Sequence, residues 1–258
     1  MRRFWVNTMS KIISMLIAVV VTTTACSVGD IPNTNDNPLY GKTAAFVGDS
    51  ISYGTNYHGG YGKLIGEQNN MTVTNPSKGG AVIARNVKWS EDADGYRPCI
   101  IDMVDELEGE YDYIIIEGGI NDFWNHVPLG ELTTDFNGGY DESTTAGGLE
   151  SMFSRIKEKY PESKAGFVIM HDPFTYDAEE GFAPYYEMMK AACDKWDIPY
   201  LDLYAQNNME VGVNVRDAEQ RKLYFESNDR PGGDGTHPNG LGYQVIYVDP
   251  MTEWMKLL

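Results

Sequence analysis

The chain reads as an α/β protein with a parallel sheet covered by helices on both faces. Three observations predict this. Short apolar runs alternate with helical patterns along most of the 258 residues. One run, Ile114-Ile115-Ile116, is apolar on both alternating faces, as a central parallel strand requires. Several apolar runs end in turns rich in Gly, Asn or Asp, and the carboxyl edge of such a sheet is where ligands bind.

The elements follow in order. Thr43-Ala44-Ala45-Phe46-Val47 is the first strand, and it stops abruptly at Gly48-Asp49-Ser50-Ile51-Ser52. Gly59-Gly60-Tyr61-Gly62 leads into a short helix ending near Asn70, and 71–74 is the second strand. Residues 84–97 are mixed and polar and read as a loop over the carboxyl edge of the sheet. A helix begun by Pro98 carries Ile100, Ile101, Val104 and Leu107 on one side. The strand 113–117 is followed by a long loop over 123–148. Leu149, Met152, Phe153 and Ile156 mark a helix over 148–160, 166–170 is strand four, 185–196 is helical, and 199–203 is strand five. Residues 216–226 form a short helix, and 239–257 the last one, broken or kinked by Pro250. No internal repeat is visible.

Ser50 stands at a strand's carboxyl end, and a following helix would direct free N–H groups towards it. Loop punctuation alone would also explain Gly-Asp-Ser. A serine nucleophile requires a base and an acid that holds the base in one tautomer. Of His58, His126, His171 and His237, only His237 has an aspartate, Asp234, three residues earlier in a Gly/Pro-rich turn. A helix cap by Asp234 or Thr236 with a solvated His237 is the competing reading.

The two motifs together resemble the SGNH, or GDSL-type, hydrolase family. Asn75-Pro76-Ser77-Lys78-Gly79-Gly80 is similar to that family's glycine block, and Gly119-Ile120-Asn121-Asp122 to its Gly-x-Asn-Asp block. The four blocks stand in the family's order, and the resemblance covers about 43–257. It implies a three-layer α/β/α, flavodoxin-like sheet of order 2-1-3-4-5, the SGNH hydrolase fold. It also implies a serine esterase: Ser50 as nucleophile, His237 as base and Asp234 as the acid behind it. The oxyanion donors it implies are the Ser50 and Gly80 backbone N–H groups, with Gly79 as the fallback, and the Asn121 side chain. Asp49 and Asp122 are expected behind the site, bonding loop amides. Tyr53, Tyr57, Phe123, Trp124 and His171 follow these blocks or end strand four, so each could line a substrate subsite. Core packing of the rings, and a capping role for His171, are the alternatives.

Composition bounds the partners. Hydrophobic residues make up 42% and aromatics 12%, enough for a full core. The net charge of -18 excludes a phosphate-backbone partner and disfavours anionic lipid. The expected partner is a small-molecule or glycan ester, with no nucleic acid, no cofactor and no metal spacing among Cys and His.

Arg2, Arg3 and Lys11 flank an apolar run at 12–21 that is shorter than a bilayer span, which reads as a secretory signal over 1–25. Thr23-Thr24-Ala25-Cys26 resembles a bacterial lipoprotein cleavage site, with Thr23 in place of the usual leucine. The expectation is an exported protein whose only membrane contact is a lipid on Cys26, a flexible tether over 26–42, and a hydrolase domain over 43–258. Residues 1–25 hold three basic and no acidic side chains, so their removal takes the net charge from -18 to about -21. Cys99 and Cys193 then either pair or stand as two buried thiols. The favoured substrate is a short O-acyl, above all O-acetyl, ester on a carbohydrate. A lysophospholipase or short-chain lipid esterase is the alternative, and a non-catalytic glycan-binding lipoprotein is the reading of another class.

Overall fold

Five parallel strands form the sheet at the centre of the computed structural model, which describes residues 36–173, 178–204 and 213–258. The leader over 1–25, Cys26 and the tether as far as 35 lie outside the described residues. In chain order the strands are β1 (Thr43–Val47), β2 (Thr72–Thr74), β3 (Tyr113–Glu117), β4 (Lys164–Ile169) and β5 (Tyr200–Asp202). Their order is β2-β1-β3-β4-β5, the flavodoxin-like arrangement. β3 lies between β1 and β4, in register Phe46↔Ile115 and Ile115↔Gly166. That central place explains its unbroken apolar run: all five of its residues are buried.

The helices are α1 (Ser50–Tyr53), α2 (Gly60–Asn69), α3 (Ile100–Glu106), α4 (Ile120–Trp124), α5 (Thr145–Lys159), α6 (Ala178–Trp196), α7 (Ala218–Phe225), α8 (Gly240–Gly242) and α9 (Asp249–Leu257). α3, α5 and α6 pack together in one layer, while α2 packs with the chain's carboxyl-terminal helical segment in the other. Each buries an apolar stripe: Leu149, Met152, Phe153 and Ile156 on α5, and Met251 and Met255 on α9. At Gly166 a Cβ would lie 2.4 Å from the Trp254 ring, so only glycine lets α9 approach β4 this closely.

Three expectations change. Asn37–Leu258 is one unit, so the domain begins before residue 43. Leu39 is fully buried and Asn37 Nδ2 donates to Asn69 Oδ1 at 3.0 Å, so 37–42 is fastened down rather than tether. Next, α6 starts at Ala178, not Tyr185, and runs through Pro184. Proline in a helix interior removes a hydrogen bond, but Phe182 is buried between Phe123 (5.7 Å) and Tyr204 (5.4 Å), which holds the extra turns in place. Third, the last helix is not broken at Pro250. Tyr243–Val248 between α8 and α9 is a π-helical segment, and Pro250 falls in the first turn of α9. Of the two readings for the cysteines, the structure has the second: Cys99 and Cys193 are both free and buried, and burial pushes the Cys99 thiol up to about 11.

Candidate active site

Asp49 starts the site. Its carboxylate caps α1 by accepting from the Ile51 N–H at 2.9 Å, which fixes Ser50 as the first helical residue after β1. Ser50 Oγ lies 2.9 Å from His237 Nε2. His237 Nδ1 lies 2.7 Å from Asp234 Oδ2. A carboxylate only accepts, so the Nδ1–H donates to Asp234 and the Nε2 lone pair faces the serine hydroxyl. Asp234 Oδ1 also accepts from the backbone N–H groups of Thr236 and His237, at 2.9 and 2.8 Å, so the acid is tied to its own turn. Burial would raise Asp234, but these bonds and the adjacent His237 hold it below the usual carboxylate range.

The glycine block is bound to the serine turn, since the Lys78 N–H donates to Gly48 O at 3.2 Å. Gly80 has φ +75°, a conformation that favours glycine, and its N–H meets no acceptor among the described residues. Asn121 follows β3, and its Nδ2 donates to Asp49 Oδ2 and to Ala81 O, both at 3.0 Å. Both of its amide hydrogens are therefore committed to these two acceptors. Asp122 accepts from Ile83 N at 2.8 Å and Ala84 N at 3.0 Å, the expected role behind the site, and burial raises it to about 6.

His171 does not line the cleft, which corrects the expectation for it. It is 1% exposed, with Nδ1 2.7 Å from Tyr247 Oη and Nε2 3.0 Å from Gly235 O. The carbonyl accepts, so Nε2 carries the proton and Nδ1 accepts from the tyrosine. Burial lowers His171 to about 4, so it is neutral at pH 7. It joins the π-helical segment to the loop that carries Asp234. Phe123 is packed against Phe182 and Tyr185, at 5.7 Å from each, and Tyr57 lies against Gly240 and 6.3 Å from the Tyr243 ring. Trp124 is half-buried against the core, and Tyr53 is 45% exposed.

Three further groups belong to the site, and two of them, Asn56 and Arg230, have no sequence signal of their own. Asn56 Nδ2 donates to His237 O at 2.6 Å, and its Oδ1 accepts from Arg230 Nη1 at 2.8 Å. Arg230 Nε lies 3.0 Å from Asp234 Oδ2. Glu117, the last residue of β3, is wholly buried against the Asp49 carboxyl. Burial, with the Asp49 charge beside it, raises Glu117 well above its ordinary value. A buried acid is rare enough that an isolated Glu after three isoleucines could have been singled out.

A concavity of about 660 Å³ lined by Tyr160, Lys164, Trp254 and Leu258 lies towards the amino ends of the strands, the sheet edge opposite Ser50. The chemistry is therefore not in that concavity but at the sheet edge that carries the serine.

Residues 46–245 match the GDSL-like Lipase/Acylhydrolase family. Solved structures with the same fold include a Lactobacillus plantarum protein (19% identity, TM-score 0.67, covering 84% of this chain and 98% of that one). A Bacteroides ovatus ATCC 8483 structure named for the GDSL-like lipases is 19% identical with TM-score 0.59, covering 84% of this chain and 99% of that one. The psychrotrophic esterase EstA of a Pseudoalteromonas species is 14% identical with TM-score 0.53, covering 84% and 97%. No curated protein matches the sequence.

Proposed function

The chain belongs to the GDSL-like lipase/acylhydrolase family and is a serine ester hydrolase, and on that premise we propose that it removes short O-acyl groups, above all O-acetyl, from carbohydrates. The observation that carries the mechanism is the hydrogen-bonded series Ser50–His237–Asp234 at the carboxyl edge of β1. Ser50 Oγ bonds to the ester carbonyl carbon while His237 Nε2 takes its proton. Asp234 holds the imidazole and stabilises its protonated form. The developing oxyanion is met by the Ser50 and Gly80 N–H groups. Asn121 joins them by exchanging its bond to Ala81 O for one to the oxyanion. The imidazolium then gives its proton to the departing alcohol, and water attacks the acyl-serine by the same steps, returning Ser50 and the free acid.

The short acyl group is supported by where apolar side chains go. Ala81, Val82, Ile83 and Ala84 after the oxyanion glycine are all fully buried, so this run enters the core instead of lining an acyl groove. Phe123 is spent on α6. In the segment after Ser50, Tyr53, Thr55 and His58 are exposed and Asn56 and Tyr57 are half-buried. Catalytic efficiency on nitrophenyl esters is expected to fall as the chain lengthens from acetyl to octanoyl. Each CH₂ that entered an apolar groove would contribute roughly 0.8 kcal/mol, so a rise of about tenfold instead would favour a lipid esterase.

A further inference from the structure

Residues 87–97 fold back on themselves above the glycine block: the Trp89 N–H donates to Gly95 O at 3.4 Å and the Arg97 N–H to Val87 O at 2.7 Å. This brings two side chains onto Gly80. A Cβ there would lie 2.8 Å from the Trp89 ring and 3.2 Å from Arg97 Nη1. The Arg97 guanidinium lies over the Trp89 ring, 4.3 Å from its centroid, and Nη1 donates to Gly80 O at 3.3 Å. Arg97 Nε is buried and meets no acceptor.

Two neighbouring cations are paired with acids, while Lys88 is exposed to water and meets only the Glu91 backbone O. Arg85 is paired with Asp102, Asp105 and Glu142, and Lys78 lies 3.8 Å from Glu106. Arg97 has no carboxylate partner among the described residues, although the chain holds 38 acidic and 20 basic side chains. Burial lowers Arg97 from its ordinary value and no nearby acid offsets that. It stays charged at neutral pH. Glu91, Asp92 and Asp94 at the tip of the same fold are exposed to water.

We propose that Arg97, laid flat on Trp89 beside the oxyanion glycine, is an anion-recognising subsite that selects esters whose alcohol part carries a carboxylate. A guanidinium presents a rigid fork that matches a carboxylate, and stacking on an indole fixes its plane. Half-exposed Trp89 adds apolar surface for the ring that bears the acid. Combined with the carbohydrate reading above, on which this last step rests, the substrate class is an acylated acidic sugar.

The competing role for Arg97 is a clamp on Gly80 O that positions the oxyanion hole for any ester. A ratio separates the two. Hydrolysis would be measured on matched pairs: an O-acetyl hexuronic acid glycoside against its neutral hexose counterpart, and 4-acetoxybenzoate against phenyl acetate. In the parent, kcat/KM is expected to favour the acidic hexose over the neutral one by about tenfold or more. In Arg97→Gln the acidic-to-neutral ratio within each pair is expected to drop by a similar factor, and in Arg97→Lys by less. A positioning role would lower both members equally and leave the ratios intact, which would overturn the proposal, as would a parent ratio equal to that of Arg97→Gln. If neither sugar is hydrolysed while the aryl ratio still depends on Arg97, the carbohydrate reading fails and the anion subsite stands.

Discussion

Asp234 accepts three hydrogen bonds, two from backbone and one from His237, and also faces Arg230. That fixes how the two residues should differ on mutation. Asp234→Asn keeps the turn but offers an N–H where Nδ1–H needs an acceptor, so the imidazole loses its tautomer. A kcat loss of about 10⁴-fold is expected for Asp234→Asn. His237→Ala removes the base itself, and a larger loss, towards about 10⁶-fold, is expected. Steady-state rates on a nitrophenyl acetate with circular dichroism as a folding control would check the order, and the reverse order would mean a different base. These residues were legible because turn residues sit at fixed offsets: Asp234 and His237 are three apart in a Gly/Pro-rich turn. Asn56 and Arg230 were not, because what joins them to the site is spatial. Asn56 and His237 are 181 residues apart in sequence.

The strands were readable because burial on both faces demands an uninterrupted apolar run, and β1 and β3 have one. The irregular elements were not. The helix read over 185–196 begins earlier, at Ala178, and the packing of Phe182 carries it through Pro184. The π-helical segment leaves no trace in a hydrophobic pattern, yet it turns both Tyr243 and Tyr247 inward, where Tyr243 Oη donates to Ile51 O at 2.7 Å and Tyr247 to His171. This element carries a pH prediction. His171 is held neutral by burial, at about 4 against an ordinary 6.5, so the unfolded chain binds the extra proton between those values. Stability should therefore be intact above pH 6.5 and fall as the pH drops towards 4, by on the order of 3 kcal/mol from this residue. Asp234, depressed when folded, adds to the loss at lower pH still. Urea unfolding from pH 7 to 4 should give a shallower slope for His171→Asn than for the parent, even though the variant is less stable throughout. Equal slopes would mean that His171 is not held neutral.

At the scale of the whole chain, the domain is fastened from Asn37, with Leu39 in the core and Lys42 2.8 Å from Asp112. The expected tether was too long because Leu39 is a lone apolar residue among Asn and Pro, and one residue makes no period. We propose that the chain is exported and anchored by a lipid on Cys26. The support is the basic, apolar and small-residue order of 2–26. Cys26→Ser expressed in a bacterial host should move the protein from the membrane fraction to the soluble one. A processed Cys26→Ser protein that stays with the membrane would refute the anchor. A lipid-tethered chain with a net charge of about -21 would stand off from anionic lipid, leaving the serine edge to meet soluble or wall-bound esters.

The central claim is that Ser50, activated by His237, forms a covalent acyl intermediate. Covalent labelling tests it most directly. An alkyl nitrophenyl phosphonate reacts with an activated serine and stays on it, because the phosphonyl group is not readily released by water. Peptide mass spectrometry of the treated protein should find about one adduct per chain, on Ser50, appearing as esterase activity disappears. In His237→Ala the same adduct should form far more slowly, since Nε2 no longer takes the proton. An adduct on another residue that tracks the loss of activity, or full activity in a protein already labelled on Ser50, would contradict the account.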